Sequence, residues 1–501
     1  MRSLIASIAF ICASNVFAFA AEIGFERKPF SHGEVQSPPA PGIPRPRLKL
    51  HDSQIFSVRD QNGNGVFESS EIQTSINAAA ASYLNDPTVL RQVVLPQGDY
   101  ILSAALLLRS GVILTGNRPI LRLKPGTNLQ QLIRIGDGVS NAGLVGLTLV
   151  NHDGLAKNAS LVSLRGNTKH IYIYDTLFIG HHQSLDVIRG KGDNTHGVSV
   201  TAGKHADIWI DGNVFDRVPT PIRFVPDSLD RATVSYNVIT NWRERSILFL
   251  VKKNAIQNSV RIAFNEIREP LVGSTRQPVV VQTQDVAVGI VGLRIHDNAI
   301  YGSFQPHIAR WVGDSSQSCR FLETKDTNGT ADMVTIHGGR EVEVYRNVLI
   351  GGGELGFSFG RGLNGARFYQ NLVVENDGAG FAIGSNFHSS SARNIVISSN
   401  IFRNVARNRN GDIPPWARGV GVVIAGTDIQ YDNLIVEETG QSNLKYIIGW
   451  KKGSGIRTIS GSGNGILSSP PSVVVATPLS QVTSRFFKQP KNPARQLPLC
   501  Q

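Results

Sequence analysis

The sequence is poor in sulfur and in aromatic rings. Its 501 residues include 3 Cys and 2 Met, and Phe, Trp and Tyr together make up 7%. That composition does not suit a helical bundle. After the first twenty residues no apolar stretch is long enough to cross a bilayer, so no membrane span is expected. Acidic residues are the minority charge, 38 against 50 Lys and Arg, for a net charge of +12 and a pI near 9.7. A chain this basic attracts polyanions. What the sequence does have in quantity is glycine, 50 residues, as a chain full of turns requires.

The N-terminus reads as an export signal. Arg2 supplies a positive start, Leu4 to Val16 is mostly apolar, and Ala18-Phe19-Ala20 is an A-x-A cleavage site. Cleavage after Ala20 predicts a periplasmic or secreted product. The polyanions such a product meets are acidic polysaccharides, the envelope surface and extracellular DNA. We expect an acidic polysaccharide as partner, no nucleic acid, and a monomer. Cys12 leaves with the signal. Cys319 and Cys500 then either pair and pin the tail, or remain two free thiols.

Five segments follow from the patterning: the signal over 1–20, a Pro-rich leader over 21–54, a cap with the first coils over 55–130, a repeat body over 131–440, and a last coil with an irregular tail over 441–501. Asp60 to Glu71 matches the calcium-loop pattern D-x-N-x-N-G-x₅-E, with Asp60, Asn62, Asn64 and Glu71 as the would-be ligands. A calcium hand needs a helix on both sides, and Ile55 to Arg59 reads as a strand, so a structural turn is the expectation. Ser70 and Gln73 form a capping box that opens a helix over Glu71 to Leu84, with Ile72, Ile76 and Ala79-Ala80 on one face.

The main signal is a repeat. A short strand, two turn residues, Asn and another apolar pair recur around Asn213, Asn237, Asn265, Asn298, Asn347, Asn371 and Asn400. Earlier coils at Ile173-x-x-Thr176 and Leu144-x-x-Leu147 keep the apolar pattern without Asn. A fixed unit with variable insertions is the mark of a solenoid, here of about ten coils. The Asn is expected to take the left-handed bend itself and to bond the same residue in neighbouring coils. A further strand per coil precedes each motif, including Gly197–Val200, Ile222–Val225, Ile247–Val251, Val279–Thr283, Ile308–Val312 and Met333–His337.

A turn and helix, then Val93-Val94-Leu95-Pro96-Gln97-Gly98-Asp99-Tyr100, then Leu106-Leu107-Leu108 and Val112-Ile113-Leu114, resemble the opening of pectate-lyase-like β-helix proteins. The resemblance covers roughly residues 55–440. It implies an all-β, right-handed parallel β-helix with an N-terminal capping helix, and a substrate face on the strand before the Asn motif. It leaves open lyase, C5-epimerase, hydrolase or adhesin. Asn194-Thr195-His196-Gly197 is similar to the N-T-D-G motif of polygalacturonase-type hydrolases, but with His in the third place and no Asp-Asp pair after it. Ile208-Trp209-Ile210-Asp211-Gly212-Asn213 looks like the W-I-D-H-N strand of pectate lyases, with Gly212 in the His place.

Chemistry is sought where charge gathers. Arg223, Lys252, Lys253, Arg310, His337 and Arg361 lie on or beside the predicted strands, with Trp311 next to Arg310. On stacked coils they would form a cationic stripe for anionic sugars. The polar run from His181 to His196 contains His182, Asp186, Arg189 and Asp193. Arg243-Glu244-Arg245 lies two coils later. Elimination from a uronate needs a base for the C5 proton and a cation on the carboxylate. That reading casts His196 or Lys252 as base, with Arg223, Arg245, Lys252 and His337 holding carboxylates; His182, Asp186, Arg189, Asp193, Lys253, Arg310, Trp311 and Arg361 would line the groove. The alternatives are a glycoside hydrolase using Asp186, Asp193 or Glu244, and a non-catalytic glycan-binding or envelope-structural protein. The spacing of the histidines does not define a metal site.

Overall fold

The computed structural model describes residues between Ser53 and Val474, apart from 61–66, 152–154, 181–194, 254, 269–276, 284–288, 303–331, 361, 384–391, 404, 407–419 and several short stretches after 424. Short runs of alternating apolar residues cannot bury a face alone. Here each run pairs in parallel with its counterpart one coil on, and three long sheets result. One coil consists of His196–Thr201, Lys204–Asp211 and Val214–Asp216; the next consists of Thr220–Val225, Ser228–Ser235 and Val238–Thr240. We call the sheet of the first strand the front sheet and that of the second the ladder sheet. The third sheet has 12 strands, from Asp99–Leu102 to Ile435–Glu437. That makes twelve coils rather than about ten, because coils without the Asn motif extend the stack at both ends. Parallel crossover units coil to the right, and the chain is a right-handed parallel β-helix. The pairing turns antiparallel only at its far end, where Trp450 and Lys451 meet Val473 and Val474.

Alternation sends one set of side chains inward. Val198, Val200, Ile208, Ile210 and Phe215 have no solvent exposure. Equal positions on adjacent coils stack, as in Phe224 on Phe249, with ring centroids 4.3 Å apart. Each such ring contributes roughly 2–3 kcal/mol by leaving water.

The seven asparagines form one unbroken ladder. In each rung, Nδ2 donates to the Oδ1 of the next Asn, and the backbone N–H donates to that same oxygen; Asn237 reaches Asn265 at 2.9 and 3.1 Å. Nδ2 also donates to a main-chain carbonyl one coil back, Ile210 O for Asn237 at 2.9 Å. The ladder runs from Asn213 to Asn400 and starts at Thr176, whose N–H donates to Asn213 Oδ1. The left-handed bend, however, lies one residue earlier. Tyr236, Phe264, Asp297, Arg346, Gln370 and Ser399 have φ between 52° and 56°, whereas no ladder Asn has positive φ. Bend and amide are thus separate devices. The strained residue turns the chain, at about 1–2 kcal/mol for a non-Gly side chain, and the Asn ties down the carbonyls that the turn leaves over.

The one helix among the described residues, Ser69–Asn85, buries Ile72, Ile76 and Ala79 against the first coils. Its capping box uses Glu68 and Glu71 rather than Ser70 and Gln73. Gln73 instead pairs with both main-chain groups of Leu107, satisfying a strand edge. Glu71, the last position of the calcium-loop pattern, accepts the Glu68 N–H at 2.9 Å and is buried. Before the loop stands a strand, Gln54–Ser57. Asn62 and Asn64 lie outside the described residues.

Ion pairs on the outside clamp coil to coil. Arg231 forks onto buried Asp207, and Arg346 onto buried Asp297. His296 sits inside the second clamp: Arg261 Nε donates to its Nε2 at 2.9 Å, so its Nδ1 carries the proton and donates to Asp297 Oδ2 at 2.6 Å. Burial first, then the charge of Arg261, pushes the His296 pKa below its ordinary 6.5. Burial does the same at His205.

Two outcomes follow from this architecture. Asn265→Leu removes several buried hydrogen bonds and strands the groups that made them, a loss of roughly 3 kcal/mol or more; a lower guanidinium midpoint checks it. His296 and His205 take up protons less readily when folded than when unfolded, where they do so below about pH 6.5. Stability is therefore complete above that pH and declines as pH falls, and melting temperatures between pH 7 and 5 should show it. His296→Gln should flatten the decline.

Candidate functional site

The front sheet presents an outward column whose members pair in register from coil to coil. Between the apolar Leu107 and Ala382 they are, in order, Arg134, Ser163, Ser199, Arg223, Leu248, Val280, Thr335 and Ser358. Successive members stand about 4.8 Å apart. The column is cationic and hydroxylic at one end, apolar at Leu248 and Val280, and hydroxylic again at the other end.

The expected cationic stripe does not form among the described residues. Arg223 is on the column, but its neighbours one and two coils on are Leu248 and Val280. Lys252 and Lys253 fall beyond the end of Ile247–Val251, at the corner. There the Lys252 ammonium sits 2.7 Å from Asp227 Oδ1, while Asp227 Oδ2 accepts the Gly203 N–H, so this lysine closes a clamp between coils. Lys253 is exposed. His337 ends Val334–His337, in register with Gln282 and half-buried against Gly360. Arg245 is half-buried just before its strand, near the buried Arg243 that faces Glu244 at 3.6 Å. Val279–Thr283 pairs directly with Val334–His337, and the expected strand Ile308–Val312 lies outside the described residues. His182, Asp186, Arg189, Asp193, Arg310, Trp311, Arg361, Cys319 and Cys500 lie outside the described residues.

Of the predicted catalytic residues, the fold brings His196 and Arg223 together. His196 opens the strand His196–Thr201, is buried, and places Nδ1 3.2 Å from the Ala159 carbonyl. Burial, then the positive charge of Arg223, pushes its pKa down to about 4, so the imidazole is neutral at pH 7. Arg223 is half-buried, and its Nη1 reaches Ser199 Oγ at 3.4 Å. No carboxylate among the described residues pairs with it.

A carboxyl pair that sequence reasoning passed over lies at the other end. Asp332 stands two residues before Val334–His337, and Glu354 three before Phe357–Phe359, in the same corner one coil on. Met333 N–H donates to Leu355 O at 2.9 Å across that step. Burial, then the negative charge of Glu354, holds the Asp332 carboxyl well above the ordinary carboxylate range, against hydrogen bonds from Ser358, Thr335 and the Leu355 N–H. Its Oδ1 has no hydrogen-bond partner. One coil further, buried Asn376 donates to Glu354 O at 2.8 Å and fixes the turn that carries it. The available signal was the coil period: both acids precede equivalent front strands. Asp186, Asp193 and Glu244 drew attention instead by their nearness in sequence to His or Arg.

No family model matches the chain, and no curated protein matches it. Solved structures resemble it at low identity. The Dettilon tailspike protein (gp208) has a TM-score of 0.40 at 11% identity, over 86% of this chain and 78% of that one. DFA-IIIase from Arthrobacter chlorophenolicus A6 without its lid has a TM-score of 0.42 at 11% identity, over 80% and 92%. The catalytic unit of the GH87 alpha-1,3-glucanase from Streptomyces thermodiastaticus strain HF3-3 has 0.38 at 14%, over 82% and 69%. The sheets of the chain itself make it a right-handed parallel β-helix, the fold that its resemblance to the pectate-lyase-like superfamily implies.

Proposed function

We propose that this chain is an exported, monomeric enzyme acting on an acidic polysaccharide, and that it hydrolyses a glycosidic bond with Asp332 and Glu354. The pair of carboxyl groups on neighbouring coils carries this reading. Hydrolysis needs one protonated acid and one carboxylate. Asp332, kept protonated by burial and by its neighbour's charge, would give its proton to the leaving oxygen. Glu354 would act at the anomeric carbon, directly or through water. The buried hydroxyls of Thr335 and Ser358 donate to Asp332 and would hold it in place, and Arg223, without a carboxylate of its own among the described residues, suits an acidic residue further along the chain. Export rests on the leader over residues 1–20.

A second reading, lyase or C5-epimerase, is favoured by one observation. Arg223 and the neutral imidazole of His196 are neighbours, so a uronate carboxylate on the guanidinium would have a base near its C5 proton. Lys252, held by Asp227, leaves His196 as the base in that case. The third reading is a glycan-binding protein that cleaves nothing.

Incubation with a panel of uronate polymers should release reducing ends without the ultraviolet absorbance of unsaturated ends. That absorbance would instead identify elimination, and salt-sensitive binding with neither signal would leave only the binding protein. Asp332→Asn should lower kcat by about a hundredfold or more, whereas His196→Gln should cost far less; the reverse order would move catalysis to the His196 end. Because Asp332 must carry its proton, activity should fall as pH rises through its raised pKa, a limb that Asp332→Asn abolishes.

A further inference from the structure

We infer that a pocket at the corner between the front and ladder sheets is an anchoring subsite for one uronate residue of a polysaccharide, remote from both candidate catalytic groups. It deepens the reading above, since it rests on an acidic substrate. The pocket is open, about 360 Å³ in volume, and lined by Arg134, Asp137, Arg165, Asn167 and the backbone around Gly166 and Gly203.

Its chemistry is one of surplus donors. Arg134 and Arg165 are exposed, come from successive front strands, and make no ion pair or side-chain hydrogen bond among the described residues. Asn167 Oδ1 is taken by the Lys204 N–H at 3.0 Å, which leaves the amide N–H groups as the free edge of that side chain. Two guanidiniums and an amide therefore face one opening, and guanidinium forks are matched to carboxylates.

Asp137 narrows the ligand class. Its Oδ1 accepts the Asn167 N–H at 2.7 Å, and its other oxygen is left for an additional donor. A bare anion such as sulfate or phosphate would meet this carboxylate with nothing to give it. A uronate ring meets it with hydroxyl groups while its own carboxylate engages the arginines. The floor is the main chain of Gly166 and Gly203, which approach each other too closely for a side chain between them. Gly203 has φ +104°, and a Cβ there would lie 2.4 Å from the Gly166 carbonyl group.

Position completes the argument. Arg134 lies on the outward column that leads through Ser163 and Ser199 to Arg223. Three coil steps separate Arg134 from Arg223, about 14 Å. A chain laid along the front sheet would thus reach the corner pocket several sugars from the bond that is cut, so the subsite acts on binding and placement.

The test titrates the full-length protein with oligogalacturonate, oligoglucuronate and oligomannuronate long enough to span those three coils, each beside its carboxyl-reduced, neutral counterpart. At least one acid oligomer should bind. The Arg134→Gln, Arg165→Gln double variant should bind it about tenfold or more weaker, close to the affinity of wild type for the neutral oligomer. Arg134→Lys with Arg165→Lys should recover part of the loss. Arg393→Gln, an exposed charge on the ladder sheet, should bind as wild type does. Equal binding by wild type and the double Gln variant, an equal loss in Arg393→Gln, or no binding of any acid oligomer overturns the inference. Cleavage is scored separately. Selective binding without cleavage of any polymer keeps the subsite and removes the hydrolase, and cleavage without selective binding does the reverse.

Discussion

Every feature of this molecule depends on coils lying over one another without slipping, and the amide ladder enforces that register. Within the ladder each Asn Oδ1 takes two donors from the previous coil's Asn, and each Nδ2 spans to the next Asn and to a carbonyl behind; at its ends Asn213 accepts from the Thr176 N–H and Asn400 donates to the Phe368 and Ser398 carbonyls. A one-residue slip would strand all of these buried groups and turn every core residue of the strand outward. Insertions of any length are tolerated between strands, because the ladder reads only the corner. This is why Asn298 and Asn347 are direct neighbours although 49 positions separate them.

Locked register turns outward positions into columns, and columns decide which charges can cooperate. Several basic side chains near the surface are engaged by carboxylates. Arg231 is held by Asp207, Arg346 by Asp297, Lys252 by Asp227 and Arg294 by Glu343. Such pairs bind one coil to the next and take those side chains out of reach of a ligand. On the front strands, Arg134, Arg165 and Arg223 have no carboxylate partner among the described residues and lie at one end of the face, and the carboxyl pair lies at the other, with Leu248 and Val280 between. Burial then sets protonation at both ends in opposite ways. It lowers the His196 pKa to about 4, so that the imidazole is neutral at pH 7, and it raises the Asp332 carboxyl well above the ordinary carboxylate range, in favour of its protonated form.

The sequence by itself determined the solenoid. Seven recurrent Asn motifs, the strands before them and the opening around Val93 to Leu114 are local patterns, and local patterns set where a strand ends and which of its residues point inward. The same patterns could not tell whether the Asn or the residue before it takes the left-handed bend, since both are turn-compatible at one position's remove. Nor could they tell Glu68 from Ser70 as the helix cap. The site was legible only at His196 and Arg223. Facing depends on parity within a strand, and parity is lost where a charge stands past the strand's end, as Lys252 does. Only the tertiary structure decided that Asp332 meets Glu354 and that Arg134 and Arg165 share a pocket. Those pairs are made by stacking one coil on another, a contact whose sequence separation is set by loop length and not by any local preference of the chain.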